Sequence, residues 1–230
     1  MAQPIDDTTR AVIDAALPHV AFDGWSDVTF KAAVRDSDTD ETLADMLFPK
    51  GSVDLALAYH RLGDQQMVDA LLRQDLSALR FRDRIAQAVK LRLEASSDRE
   101  VVRRGTTLFA LPQNAPLGAK AIWDTADTIW TALGDTSTDV NWYTKRATLS
   151  GVYSATVLFW LGDDSADHAD TWAFLDRRIE DVMRIEKAKA HVRENPVLRA
   201  AFAGPTWLLS KVRAPMQVPD VPSHWTSQGD

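Results

Sequence analysis

At 230 residues the chain can hold one large domain, or a small domain fused to a larger one. Its 45% hydrophobic content is enough for a globular core, and the lack of cysteine excludes both a disulfide framework and a thiolate metal site. The formal net charge of -7 is unevenly spread: residues 1–79 carry fourteen acids and six bases, whereas residues 184–213 carry seven bases and two acids, so the C-terminal part is the one suited to an anionic surface.

The N-terminus, Met-Ala-Gln-Pro-Ile-Asp-Asp, shows no basic region followed by an apolar run. The longest nearly uncharged stretch, 147–162, is shorter than the about 20 apolar residues that a membrane span needs. A cytoplasmic protein is expected.

Helical signals dominate and no strand run stands out. Val12, Ala15, Ala16 and Val20 share one helical face within 5–20. Asp23-Gly24 marks a turn, and Ser26 can cap a short helix through Val34. Thr39 or Asp40 can cap another through Met46, and Ser52 starts a longer one through His60. Together these read as a helix-turn-helix module over 1–62. Further helices are predicted over 81–95, 98–111, 117–133, 137–161 and 170–189, with Pro112 to Pro116 as the clearest linker. The 137–161 helix is apolar on most sides, as expected of a buried helix or one lining a ligand cavity. It and the next helix could pair with their copies in a second subunit, giving a four-helix dimer interface. The organisation predicted is 1–62, a helix-turn-helix-like module; 63–192, a larger helical ligand-binding and dimerisation domain; 193–214, amphipathic terminal helices; and 215–230, a disordered tail.

The stretch Gly134 to Arg146 links these long helices. Gly134 can stop one helix, Ser137 or Thr138 can cap the next, and Asp139 falls in its first turn, where a carboxylate suits the helix dipole. Trp142 and Tyr143 are adjacent, so a helix points them in different directions. One of them is expected to face away from the core, as an interface aromatic does.

No phosphate loop, nucleophile elbow or zinc-helix motif is present. Asp163 to His168 lacks the spacing and glycine of a calcium loop, and Asp124 with Asp127 reads as a surface pair. Neither an enzyme nor a cofactor is predicted.

The runs Val12 to Leu17, Gly24 to Thr29 and Leu43 to Lys50 resemble the N-terminal domain of tetracycline-repressor-type regulators. Between Asp36 and Pro49, however, stand five acids and no base. DNA affinity comes largely from cations on phosphates, so the module is expected to keep the fold without binding nucleic acid. Asp127 to Trp130, Gly134 to Arg146, Gly151 to Tyr153 and Asp170 to Ile179 resemble the coenzyme Q biosynthesis protein nine family. That resemblance implies an all-α, tetracycline-repressor-like homodimer that binds an isoprenoid quinone or phospholipid and assists a ubiquinone-pathway hydroxylase. It implies partner contacts at Asp127, Ile129, Trp130, Asp139, Trp142 and Tyr143, and a membrane-engaging terminal helix corresponding to Trp207, Leu208, Leu209, Lys211 and Val212. The absence of a visible transit peptide suggests a bacterial member, peripherally associated with the inner membrane. Pocket candidates are Leu108, Leu111, Trp123, Tyr153, Val157 and Trp160. The alternative is a transcriptional regulator with a hydrophobic ligand pocket.

Overall fold

The computed structural model describes residues 5–96 and 98–194, with side chains to 184. The described residues are helical, without strands. Three short helices come first: α1 (Asp7–Asp23), α2 (Asp27–Asp36) and α3 (Glu41–Leu47). Each is capped by a short polar side chain that accepts from a free backbone N–H: Asp6 from Thr9, Ser26 from Thr29, and Asp40 from Leu43. Gly24 ends α1 at φ +66°, the left-handed region that a Cβ disfavours.

The fourth helix, α4, runs from Ser52 to Leu72, well past the predicted end at His60. The extension follows from burial. Leu55, Ala56 and Ala58 sit in a first core with α1, whereas Met67 and Leu71 sit in a second core with the later helices. α4 is therefore continuous across residues 62 and 63 and belongs to both cores.

The later helices are α5 (Phe81–Glu94), α6 (Arg99–Ala110), α7 (Ala115–Ala132), α8 (Val140–Leu161) and α9 (Ala169–Glu194). The proline-rich stretch before α7 is a tight turn rather than an extended linker. Asn114 donates through its backbone N–H to the Leu111 carbonyl and through Nδ2 to the Leu108 carbonyl. Pro116 falls in the first turn of α7, where a missing N–H costs nothing. Gly118 lets α6 and α7 approach closely, since a Cβ there would lie 2.6 Å from Cβ of Phe109.

Two guanidinium groups tie α6 to the end of α8. Arg99 donates to the carbonyls of Trp160 and Asp163, and Arg103 donates to that of Leu161. They satisfy carbonyls that a helix end leaves unpaired. Asp163 is buried and accepts from the backbone N–H and hydroxyl of Thr171 and from the N–H of Ser165, fixing the start of α9. These hydrogen bonds hold its carboxyl well below the usual range.

Candidate functional site

A cavity of about 380 Å³ lies between the two cores, bounded by α4, α5, α6, α7 and α8. On each helix the residues that line it follow helical spacing. On α6 they are Val101, Val102, Gly105, Thr106, Phe109 and Ala110; on α7 they include Ala115, Gly118, Ala119 and Ile122; on α8 they are Tyr153, Ser154, Val157 and Leu158. Many are small, so close-packed helices still leave a hollow. Exposed residues form its mouth, among them Leu158 at 62% exposure, Ala115 and Ala119. Buried residues close the far end, among them Leu93, Arg92 and Tyr153.

The far end is polar. Arg92 donates from Nε to Asp64 at 2.6 Å and from Nη2 to the His60 carbonyl at 2.9 Å. Thr125 donates to Asp64 at 2.9 Å, and His60 Nε2 lies 2.8 Å from the Thr125 hydroxyl. Burial and the Arg92 charge push His60 down to about 4, so its ring is neutral at ordinary pH. Burial works against the Arg92 charge, yet Tyr153 and Asp64 outweigh it and raise its pKa.

Of the predicted pocket residues, Tyr153 and Val157 line this cavity. Leu108 packs against the first core, Leu111 is exposed at the turn, and Trp160 is buried in the second core. Trp123 sits one residue beyond Ile122 and so about 100° around α7, which turns it toward another site. Trp25, Phe109, His60 and Arg92 line the cavity and were not singled out from the sequence. The available signal was the set of small residues at helical spacing on α6 and α7.

Trp123 instead joins Trp142 and Tyr143. Its ring centroid is 5.9 Å from that of Trp142 and 6.4 Å from that of Tyr143, and the last two meet edge-to-face at 4.7 Å. All three are half-buried. Beneath them Arg146 is 1% exposed and donates to Asp127, Asp135 and the Trp142 carbonyl. Lys145 donates to Asp135 and Ser137 and sits over the Trp130 ring at 5.0 Å. Burial would raise the Asp135 pKa, but hydrogen bonds from Lys145, Ser137 and Arg146 hold it down to about 2.

Two sequence expectations change here. Asp139 itself is the N-cap of α8, accepting from the Asn141 N–H, while Ser137 donates to Asp135. Ile129 and Trp130 lie in the second core and are not available at the surface, since the α7 face that carries them packs inward. Asp127, Asp139, Trp142 and Tyr143 remain at least partly accessible. The terminal residues Trp207, Leu208, Leu209, Lys211 and Val212 lie outside the described residues.

The COQ9 family model matches residues 115–186, from the first turn of α7 into α9. This stretch is a COQ9 family domain. It contains the aromatic cluster, Arg146 and the α7 and α8 walls of the cavity. Among curated relatives, the "Ubiquinone biosynthesis protein COQ9, mitochondrial" of Xenopus tropicalis is 33% identical over 182 residues, covering 76% of this chain and 57% of that protein. The "Probable ubiquinone biosynthesis protein coq9, mitochondrial" of Dictyostelium discoideum is 30% identical over 198 residues, covering 80% of this chain and 62% of that protein. The COQ9 of Rattus norvegicus is 42% identical over 90 residues, 39% of this chain and 29% of that protein. The chain thus spans little more than half the length of several COQ9 proteins that it matches. Among solved structures, a TetR transcriptional regulator from Nitrosomonas europaea ATCC 19718 has a TM-score of 0.62 at 19% identity, covering 76% of this chain and 97% of that one. The fold of this chain is all-α and tetracycline-repressor-like, as the N-terminal motifs suggested.

Proposed function

We propose that this protein is a lipid-binding accessory factor of ubiquinone biosynthesis. It takes the hydrocarbon part of an isoprenoid quinone intermediate, or of a phospholipid, into the cavity and offers the lipid to a ring hydroxylase at the membrane surface. The observation that carries this reading is the mostly apolar cavity of about 380 Å³ with an exposed mouth. Such a hollow replaces the acyl surroundings of a lipid tail, so extraction from a bilayer costs little. The COQ9 relatives, named for ubiquinone biosynthesis, supply the pathway.

The aromatic cluster is the proposed docking site for the hydroxylase. Trp142 and Tyr143, with Asp127 and Asp139 at its edge, offer a rigid aromatic anchor beside acidic groups. The basic, apolar run Trp207 to Arg213 is the proposed membrane contact. A homodimer through α8 and α9 is part of the same reading, and the protein acts without catalysing a step itself. Among the described residues, no helix is long and apolar enough to cross a membrane.

Identification by mass spectrometry of lipid carried through native purification tests the proposal. An isoprenoid quinone or phospholipid at near one per chain is expected; purified protein that is empty and takes up neither from vesicles overturns it. The regulator reading predicts a DNA complex that weakens steeply with salt, and the acidic α3, bearing Glu41 and Asp45, argues against it.

A further inference from the structure

The turn that joins α4 to α5, residues 73–80, has a backbone closed on itself. Arg84 donates to the carbonyls of Ser77 and Leu79, and the Ser77 N–H donates to Asp75. The N–H groups of Gln74 and Leu79 donate to the carbonyls of Leu71 and Leu76. Gln87 Nε2 donates to Gln74 Oε1 at 3.1 Å and ties α5 to the turn. Leu76 points inward, against the second core. The other large apolar side chains of this region point out: Leu72 is 77% exposed, Leu79 38% and Phe81 47%.

The charge around them is reversed from that of the chain. Residues 72–84 carry four bases and two acids, in a protein of net charge -7. Both acids are occupied, since Asp75 holds the turn and Asp83 pairs with Arg80 and Arg82. Arg73 is exposed and forms no salt bridge among the described residues. Exposed apolar side chains ringed by guanidinium groups suit an anionic lipid surface: the apolar groups enter the acyl boundary while the cations stay with the phosphates. The closed backbone helps, because unpaired N–H and carbonyl groups would resist leaving water.

The place of the turn in the bundle favours the same partner. Phe81 rests on Trp130, with ring centroids 5.6 Å apart, so the turn lies where α7 ends and α8 begins. α9 starts beside the end of α8, where Phe159 stacks on Phe174 at 4.5 Å, and runs back along it. The chain therefore leaves α9 at the same end of the bundle as the turn. The basic, apolar run Trp207 to Arg213 follows from there in sequence.

We propose that the α4–α5 turn is a second membrane contact, which sets Leu72, Leu79 and Phe81 among the head groups of an anionic bilayer. It rests on the membrane part of the reading above and adds a rigid foothold separate from the tail. The foothold is at the end of α8 that carries Trp142 and Tyr143, away from the cavity mouth at Ala115 and Leu158.

The full chain and two kinds of vesicle test this: phosphatidylcholine alone, and phosphatidylcholine with about one-third phosphatidylglycerol. The protein has no cysteine, so Ala78→Cys accepts a single environment-sensitive dye in the turn, and Lys31→Cys on the exposed face of α2 is the control. The dye at residue 78 should shift to the blue on the anionic vesicles, and the dye at residue 31 should not. Leu72→Glu and Arg73→Glu, both at exposed positions, should each weaken sedimentation with the anionic vesicles about tenfold. A silent dye at residue 78 on vesicles that bind the protein overturns the turn contact and leaves the tail as the membrane contact. Undiminished binding by both variants does the same. A dye response that grows with protein concentration without lipid makes the turn an interface between copies and also overturns the proposal. A chain that binds neither vesicle overturns the membrane part of the reading above together with the turn.

Discussion

The guanidinium of Arg146 lies 4.0 Å from the centroid of the Trp142 ring while its nitrogens donate to Asp127 and Asp135. One buried cation thus supports an aromatic that faces outward and neutralises Asp135, which is 3% exposed, beneath it. The COQ9 region is built over this contact. Arg146→Met leaves Asp135 with only Lys145 as a cationic partner, so a loss of about 3–5 kcal/mol is expected in urea unfolding. Arg146→Lys should recover only part of this, since an ammonium cannot fork between two carboxylates.

The same cluster predicts a surface effect that can be separated from stability. Trp142→Lys removes the ring that Arg146 faces, at a cost of under about 2 kcal/mol, because the ring is half-buried. Co-purification with the proposed hydroxylase should fall at least tenfold while the melting temperature shifts only slightly. Unchanged co-purification would remove the patch from the functional reading.

Acid should weaken the fold in two steps. His60 ionises at about 4 when folded against an ordinary 6.5, so the unfolded chain takes up the proton first. Stability is complete above pH 6.5 and falls as the pH drops from 6.5 to 4, by about 3 kcal/mol in all. His60→Gln should flatten that slope. Asp135, held at about 2 against 3.8, contributes stability that is present above pH 3.8 and lost as the pH falls toward 2. Urea midpoints measured from pH 7 to 2 check both windows.

Asp163 joins the end of α8 to the start of α9. Asp163→Ala removes its bonds to Thr171 and Ser165 and leaves buried donors unpaired, so about 2–4 kcal/mol should be lost. Asp163→Asn, which keeps an acceptor oxygen, should cost less. Hydrogen exchange in the first turn of α9 reports the effect locally.

Gly118→Ala would place a Cβ 2.6 Å from Phe109 Cβ, where neither backbone can yield cheaply. α6 and α7 should be forced apart, with a loss of about 1–3 kcal/mol and weaker lipid uptake. Gly151, with nothing within 4 Å of its would-be Cβ, should accept alanine without loss and serves as the control.

The helices themselves were legible in the sequence, because apolar spacing and caps are local. Ser26 and Asp40 cap where their side chains suggest, and the acidic α3 is visible as composition. The COQ9 signature was equally local, since Gly134 to Arg146 is one uninterrupted run. The length of α4 was not, since its extension past His60 depends on a second core supplied by residues far along the chain. Nor was the cavity. Large apolar residues such as Trp123 and Trp160 suggest a pocket lining in one dimension, but the hollow forms where the side chains between close-packed helices are small. The same limit hid the pairing of Arg92 with Asp64, 28 residues apart, and of Arg146 with Asp127, 19 residues apart. Sequence alone determined the elements and the family because those signals lie within a few helical turns. Only the tertiary structure decided which faces meet, which charges are buried and where space is left, because these depend on the distance between helices that no single helix encodes.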